Sequence, residues 1–387
     1  MDFDSIIDRR GTDSLKYDRL AAAGFPPDTI PMWVADMDFR TPACVMEALT
    51  ARAQHGIFGY SEPGAVYIKT LKDWFGRRFH WIFPDDALVT TPGIVFAIAV
   101  AIRALTNPGD AVLVQVPVYH CFLETVEDTG RELVTNALEN RDGRYEINFD
   151  DFERQIRERN VKLFILCSPH NPVGRIWSRA ELERMGEICL RNDVIVISDE
   201  IHADFVLGEE KQIVFSSLSP DFARNTVLCT APSKTFNIAG LQVSNLFIEN
   251  PDIRAAFQKE LARVGYSQLN VMGLVACQAA YAGGEPWLEA LLDYLRGNVD
   301  LVRRRLAGTR VKMTEPEATY LLWLDFSAIG LSDQELDDFL AQKARVWLSS
   351  GPVFGPGGEG FQRMNIACPR AVISEALDRL EQALKQM

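Results

Sequence analysis

Two patterns of apolar and polar positions alternate along the middle of this chain. Short apolar runs rich in β-branched residues recur: AVLVQV from Ala111, KLFILC from Lys162, VIVIS from Val194 and TVLCT from Thr226. Runs of this kind predict strands buried on both faces. Helical patterns separate several of them. Ser178 opens one, with Glu181 three residues on as the second half of a capping box. Strand alternating with helix predicts an α/β fold whose largely parallel sheet is covered on both faces.

After about residue 285 the pattern changes. A long helical stretch, roughly Trp287 to Leu306, leads to the strand-like TYLLWLDF. A helix over SDQELDDFLAQKA follows, then WLSSGPVFGPGGEGFQRMNIACPR and a final helix. This predicts a smaller α+β domain. The N-terminal segment, to about residue 45, is Pro-rich and loop-like and is expected to pack beside it. The predicted division is a large domain over 46–285 and a small domain built from both chain ends, 1–45 and 286–387.

Composition narrows the function classes. With 387 residues and 47% hydrophobic, the chain can fill two cores. A net charge of −13, without dense fields of Lys and Arg, argues against nucleic acid as a partner. The seven cysteines are scattered without a C-x-x-C pair, which fits a reducing cytoplasm better than a disulfide framework. The N-terminus MDFDSIIDRR shows no apolar leader. The longest apolar run, Ile94 to Leu105, is too short to span a membrane.

The ends of the predicted strands carry the candidate chemistry. AVLVQV runs into Pro117, Tyr119 and His120, and KLFILC into SPHNPVG. VIVIS runs into Asp199, Glu200 and His202, and TVLCT into Ser233 and Lys234. Ligands of open α/β sheets bind outside the carboxyl ends of the strands, so these residues are expected to share one cleft. A lysine held as the free amine makes Schiff bases with carbonyl compounds. Read alone, a lysine beside a serine is far more often a solvated loop lysine, and only its context singles out Lys234. Asp199 ends an apolar strand, where a carboxylate needs a partner. A protonated pyridine nitrogen fits, and so does a helix N-cap or a structural ion pair. Asn171 could donate to a phenolic oxygen or simply make a turn. Tyr119 could stack on a ring or be an ordinary strand-end aromatic. The turn Pro92-Gly93-Ile94 before an apolar helix could hold a phosphate.

Taken in order, S-K-T-F-N-x-A-G-L around Lys234, D-E-I-H at Asp199 and H-N-P-x-G at Asn171 resemble the aspartate-aminotransferase-like fold of pyridoxal 5′-phosphate (PLP) enzymes. The resemblance covers essentially the whole chain. PMWVADMDF from Pro31, FGYSEP from Phe58 and RMNIACPR from Arg363 further resemble the carbon–sulfur β-lyase branch, the MalY/PatB-type cystathionine β-lyases.

That resemblance implies a role for each matching residue. Lys234 carries the cofactor as a Schiff base and is the acid/base at Cα. Asp199 pairs the pyridine nitrogen. Asn171 donates to the phenolic oxygen, with His202 nearby, and Tyr119 stacks on the ring. Gly93, Ile94, Val95 and Ser233 surround the phosphate. Tyr60 reaches the cofactor of a neighbouring subunit, so a homodimer with shared sites is expected. Arg363 grips the substrate α-carboxylate as a fork. The backbone near Val34 and Ala35 closes over the substrate. Many transaminases have an arginine eight residues after the lysine; here Gln242 stands there, in agreement with the lyase branch.

The implied reaction is elimination from cystathionine or another S-substituted L-cysteine, giving a thiol, pyruvate and ammonia. An aminotransferase of the same fold is the nearer competing reading. A PLP-binding protein acting through a transcriptional regulator is the other. The remaining features have plainer expectations. The GPGGEG run, Gly355 to Gly360, is expected to be a flexible surface loop near Arg363. The dispersed histidines give no metal spacing. Trp33, Trp74 and Trp347 are expected in core or cleft walls, and Arg370 as cleft support or an ion-pair partner.

Overall fold

The computed structural model describes residues 1–387. Its centre is an eight-stranded sheet. In chain order the strands are β1 (Leu88–Thr91), β2 (Ala111–Val116), β3 (Glu132–Arg141), β4 (Arg144–Ile147), β5 (Leu163–Cys167), β6 (Ile195–Asp199), β7 (Thr226–Thr230) and β8 (Ser244–Phe247). Across the sheet they lie in the order β1-β8-β7-β6-β5-β2-β3-β4. The run from β7 to β3 is parallel, and β8 and β4 pair antiparallel at its two sides. The four apolar runs in the sequence are the four adjacent strands β7, β6, β5 and β2.

Alternation along β2 divides its side chains between two of the three apolar clusters of the core. Val112, Val114 and Val116 of β2 join one apolar cluster with the helix Ile94–Leu105, while Ala111 and Leu113 join another. Trp177 and Leu182 belong to the second cluster, beside the helix Arg179–Arg191. Both faces are therefore dry, and every residue of β2, β5 and β7 is buried. Each fully buried aliphatic side chain contributes roughly 1.5–3 kcal/mol before its entropy cost. The Ser178–Glu181 capping box is present as expected.

A second, antiparallel sheet is built from Lys312–Met313, Leu321–Asp325, Phe361–Asn365 and Ser349–Ser350, in that spatial order. The N-terminal segment reaches it through a two-residue parallel ladder, Ile30–Pro31 against Val346–Trp347. Gly174 of the HNPVG turn has φ 71°, and a Cβ there would lie 3.2 Å from the Ala318 carbonyl oxygen. That glycine lets the turn press against residues 316–318, where its carbonyl accepts from Glu317 and Ala318.

Two expectations need correction. The helix predicted over SDQELDDFLAQKA is α-helical only for Asp333–Phe339. Leu340–Ala344 then widen into a π-turn, and Arg345 ends it at φ 52°. The GPGGEG run lies at the surface as expected, with Pro356, Gly357 and Glu359 exposed, but it is packed down through Gly358 and is not a free loop. Gly351 and Gly358 pack so closely that a Cβ on Gly351 would stand 1.9 Å from the Gly358 oxygen. The Phe354 carbonyl also accepts from Val118, next to the Tyr119 strand end. No helix is long and apolar enough to cross a membrane.

Candidate active site

The carboxyl ends of β7, β6, β5 and β2 lie side by side, so Lys234, Asp199, Asn171 and Tyr119 are delivered in a row. All four line one cavity of about 830 Å³. Gly93, Ile94, Val95, His202, Ser233, Val34, Ala35 and Arg363 line the same cavity. Tyr60 does not. It is 95% exposed, in a segment that also exposes Ile57 and Phe58.

Lys234 sits on a single helical turn, Pro232–Thr235, directly after β7. Its Nζ donates to the Ala35 carbonyl at 2.7 Å. Burial, and then the positive Arg363, pull its pKa down to about 8, so the free amine is accessible near neutrality. Asp199 has the opposite problem. Burial pushes its carboxyl up to about 7, against the Ile201 amide, which donates to Oδ1 at 3.0 Å. No salt bridge reaches it. Its neighbour His202 is held neutral, down to about 3, by burial and by the charges of Lys234 and Arg363. The Nδ1 of His202 is buried without a partner.

Arg363 comes from the small sheet, on a strand paired with Ser349 and Trp323. It is buried, and its fork is largely committed to protein. Nη1 donates to Asn171 Oδ1 at 3.1 Å; Nη2 donates to the Trp33 carbonyl at 2.9 Å and to Ser349 Oγ at 3.3 Å. Nε is buried with no acceptor. Because Asn171 uses its oxygen on Arg363, its amide hydrogens remain for another acceptor. Burial pushes the Tyr119 hydroxyl well above its ordinary pKa and keeps it neutral.

A roof from Trp33 to Phe39 covers the cavity. Asn365 donates to the Val34 and Asp36 carbonyls at 2.5 and 2.6 Å. Asn237 donates to the Met37 and Phe39 carbonyls, each at 2.9 Å. The Tyr320 hydroxyl shares the Ala35 carbonyl with Lys234, at 3.0 Å. Buried Lys16 holds Asp38 at 2.8 Å, behind the roof.

These residues fit PLP. An isolated buried carboxylate asks for a cationic N–H, which a pyridinium supplies. A lysine poised as the amine suits an aldehyde. The helix Ile94–Leu105 begins at the cavity with no acidic residue in its first turn and no side-chain cap. A Cβ on Gly93 would meet nothing within 4 Å, so this end is open to a phosphate. Gln242 lines the cavity where a cation would add charge, leaving the helix terminus to supply more of the attraction.

Sequence reading missed several participants. Tyr320 and Ser349 lie in the small sheet region, and nothing local marks them. Phe25 also lines the cavity. His120, Cys121 and Glu124, at i, i+1 and i+4 of one helix, bring their ligating atoms within 4.8 Å of one another at its edge. A search for spaced histidines overlooks that grouping. Trp33 and Trp347 are cavity wall, while Trp74 is core. Arg370 lies outside the cavity, stacked on Tyr294 and donating to Asn298.

The comparisons agree with this geometry. Cystathionine β-lyase PatB of Bacillus subtilis is 46% identical over 386 residues, covering 99% of this chain and all of that one. Protein MalY of Escherichia coli is 33% identical, with 99% of each chain covered. The structure of cystalysin from Treponema denticola, which contains a PLP cofactor, superposes with a TM-score of 0.97 at 36% identity, over 100% of this chain and 99% of that one. The family model for aminotransferase class I and II matches residues 27–380. Fold, cavity and relatives together place this chain in the aminotransferase class I and II family.

Proposed function

We propose that this protein is a PLP-dependent carbon–sulfur β-lyase acting on S-substituted L-cysteines, cystathionine among the candidates, and releasing a thiol, pyruvate and ammonia. The observation that carries the reading is the meeting of an amine-poised lysine, an unpaired buried carboxylate and a buried arginine in one roofed cavity. Relatives named as cystathionine β-lyases support elimination over amino-group exchange.

When bound, PLP supplies an electron sink for the charge that develops at Cα. The chain's residues do the rest. Asp199 keeps a proton on the pyridine nitrogen. Asn171 donates from the amide that Arg363 leaves free. Tyr119 covers one ring face. Gly93, Ile94, Val95 and Ser233 receive the phosphate. Arg363 turns its unpartnered Nε toward the substrate carboxylate. Lys234, at the Ala35 carbonyl, takes the proton from Cα, a step worth about 10²–10⁴-fold when the base is positioned. The Val34–Ala35 backbone excludes water from that transfer.

The reading extends to the whole molecule. Residues 46–285 would form the cofactor domain and the two chain ends the smaller one. The exposed apolar surface of Ile57, Phe58 and Tyr60 supports a homodimer in which Tyr60 completes the neighbour's phosphate site. The test is pyruvate and thiol release from L-cystathionine or an S-alkyl-L-cysteine without any keto acid. Turnover only when a keto acid is added would replace the lyase with an aminotransferase.

A further inference from the structure

One wall of the cavity has no task in the steps above. Trp33 and Trp347 stack with ring centroids 4.3 Å apart and planes 18° apart. Phe25 stacks on Trp347, also at 4.3 Å, with planes 21° apart. All three line the cavity, and none is fully buried. Leu15 and Val353 border the same cavity, each 49% exposed. Contiguous apolar surface left open to water inside a concave site marks a place for a ligand.

Its location says which part of a ligand. The Trp33 carbonyl accepts from Arg363 Nη2, so the stack begins beside the group that holds the α-carboxylate. The ladder of Ile30–Pro31 with Val346–Trp347 sets the two tryptophans against each other. With the α-carboxylate at Arg363 and Cα at Lys234, a substituent on sulfur extends toward this wall or toward solvent.

Charge narrows the choice further. Lys234 and Arg363 are the only lysine or arginine of this chain lining the cavity, both at the substrate's α-carbon end, and the Phe58–Pro63 stretch around Tyr60, which a partner would bring, holds neither residue type. The other cavity acids besides Asp199 are Glu124 and Asp337. Asp337 is held by Gln362 at 2.7 Å and has no cation beside it. His120 is pushed below its usual pKa by burial, which disfavours its charged form. A second carboxylate on the substrate would lose water and gain no cation.

We propose that the site selects L-cysteine S-conjugates whose S-substituent is uncharged and apolar, branched alkyl or aromatic, seated on the Phe25–Trp347–Trp33 stack, over conjugates that carry a second carboxylate. This rests on the lyase reading of the same site. It ranks cystathionine, whose far end is charged, below an alkyl or aryl conjugate.

The test compares S-(3-methylbutyl)-L-cysteine with S-(2-carboxyethyl)-L-cysteine on the holoenzyme. The substituents have the same number of heavy atoms and nearly the same shape, so charge is the variable. Expected is a kcat/KM at least about tenfold higher for the 3-methylbutyl conjugate. The double variant Phe25→Ala/Trp347→Ala should lower that ratio at least about threefold, whatever happens to the absolute rates. A binding arm uses the carbon isosteres 2-amino-7-methyloctanoate and 2-aminopimelate, which have no thiol to lose. The first should quench tryptophan fluorescence with the lower Kd. Abundant pyruvate from both conjugates with an equal or reversed ratio would overturn the apolar preference and leave the lyase standing. No pyruvate from either conjugate or from S-methyl-L-cysteine would overturn the lyase, and the Kd comparison would then decide the preference alone. The wild-type ratio requires no variant to fold.

Discussion

Asp199 costs the empty protein stability that the cofactor returns. Its folded pKa, about 7, stands above the ordinary 3.8 because burial disfavours the charge. The native state therefore holds this proton more tightly than the unfolded chain does. Stability from this group falls as pH rises from about 4 to about 7, then levels off. Asp199→Asn should thus stabilise the apoprotein at pH 8 by on the order of 2–4 kcal/mol, and by almost nothing near pH 4. Denaturant melts of the two apoproteins at both pH values check this; an equal gain at both would show that the charge is not the cause. Lys234 works in the other direction. Its amine is released as pH rises through about 8. PLP uptake by the apoprotein, followed by visible absorbance, should accelerate about tenfold between pH 7 and pH 9 and then plateau.

At the scale of elements, the legible part was what depends on local pattern. Four apolar runs named four adjacent strands, because parallel strands buried on both faces tolerate few polar residues. Their polar ends named Lys234, Asp199, Asn171 and Tyr119. Arg363 was legible only through family resemblance, since a short strand with one arginine, paired on both sides, has no signature of its own. The stack of Phe25, Trp33 and Trp347 was not assembled from sequence, because a two-residue ladder joins positions more than 300 residues apart. The glycine run was misread because glycine marks a loose loop and a tight backbone contact alike, and only the partner Gly351 tells them apart. Away from the site, Ser178→Ala removes the hydroxyl that accepts from Glu181 N and starts the helix behind β6. It should cost about 1 kcal/mol in a denaturant melt and leave pyruvate release unchanged.

At the scale of the molecule, the proposed sharing of sites between subunits makes a quantitative prediction. Lys234→Ala and Tyr60→Ala are each expected to be nearly inactive as homodimers. Unfolding and refolding them together at equal amounts gives half the dimers as hybrids. Each hybrid has one site with both residues intact, so about a quarter of wild-type activity should return. No recovery, with dimers shown by sedimentation, would remove Tyr60 from the neighbour's site. The roof has a further consequence, for the order in which the protein is made. Trp33, Val34 and Asp36 leave the ribosome early, but Arg363 and Asn365, which hold their carbonyls, are synthesised 330 residues or so later. The central sheet can be complete, with Asn237 already on the Met37 and Phe39 carbonyls, while the Trp33, Val34 and Asp36 carbonyls still lack their partners. A nascent chain halted before about residue 360 should therefore lack the Arg363 and Asn365 holds on the Trp33–Asp36 part of the roof, and capture of the substrate carboxylate waits for the strand Phe361–Asn365.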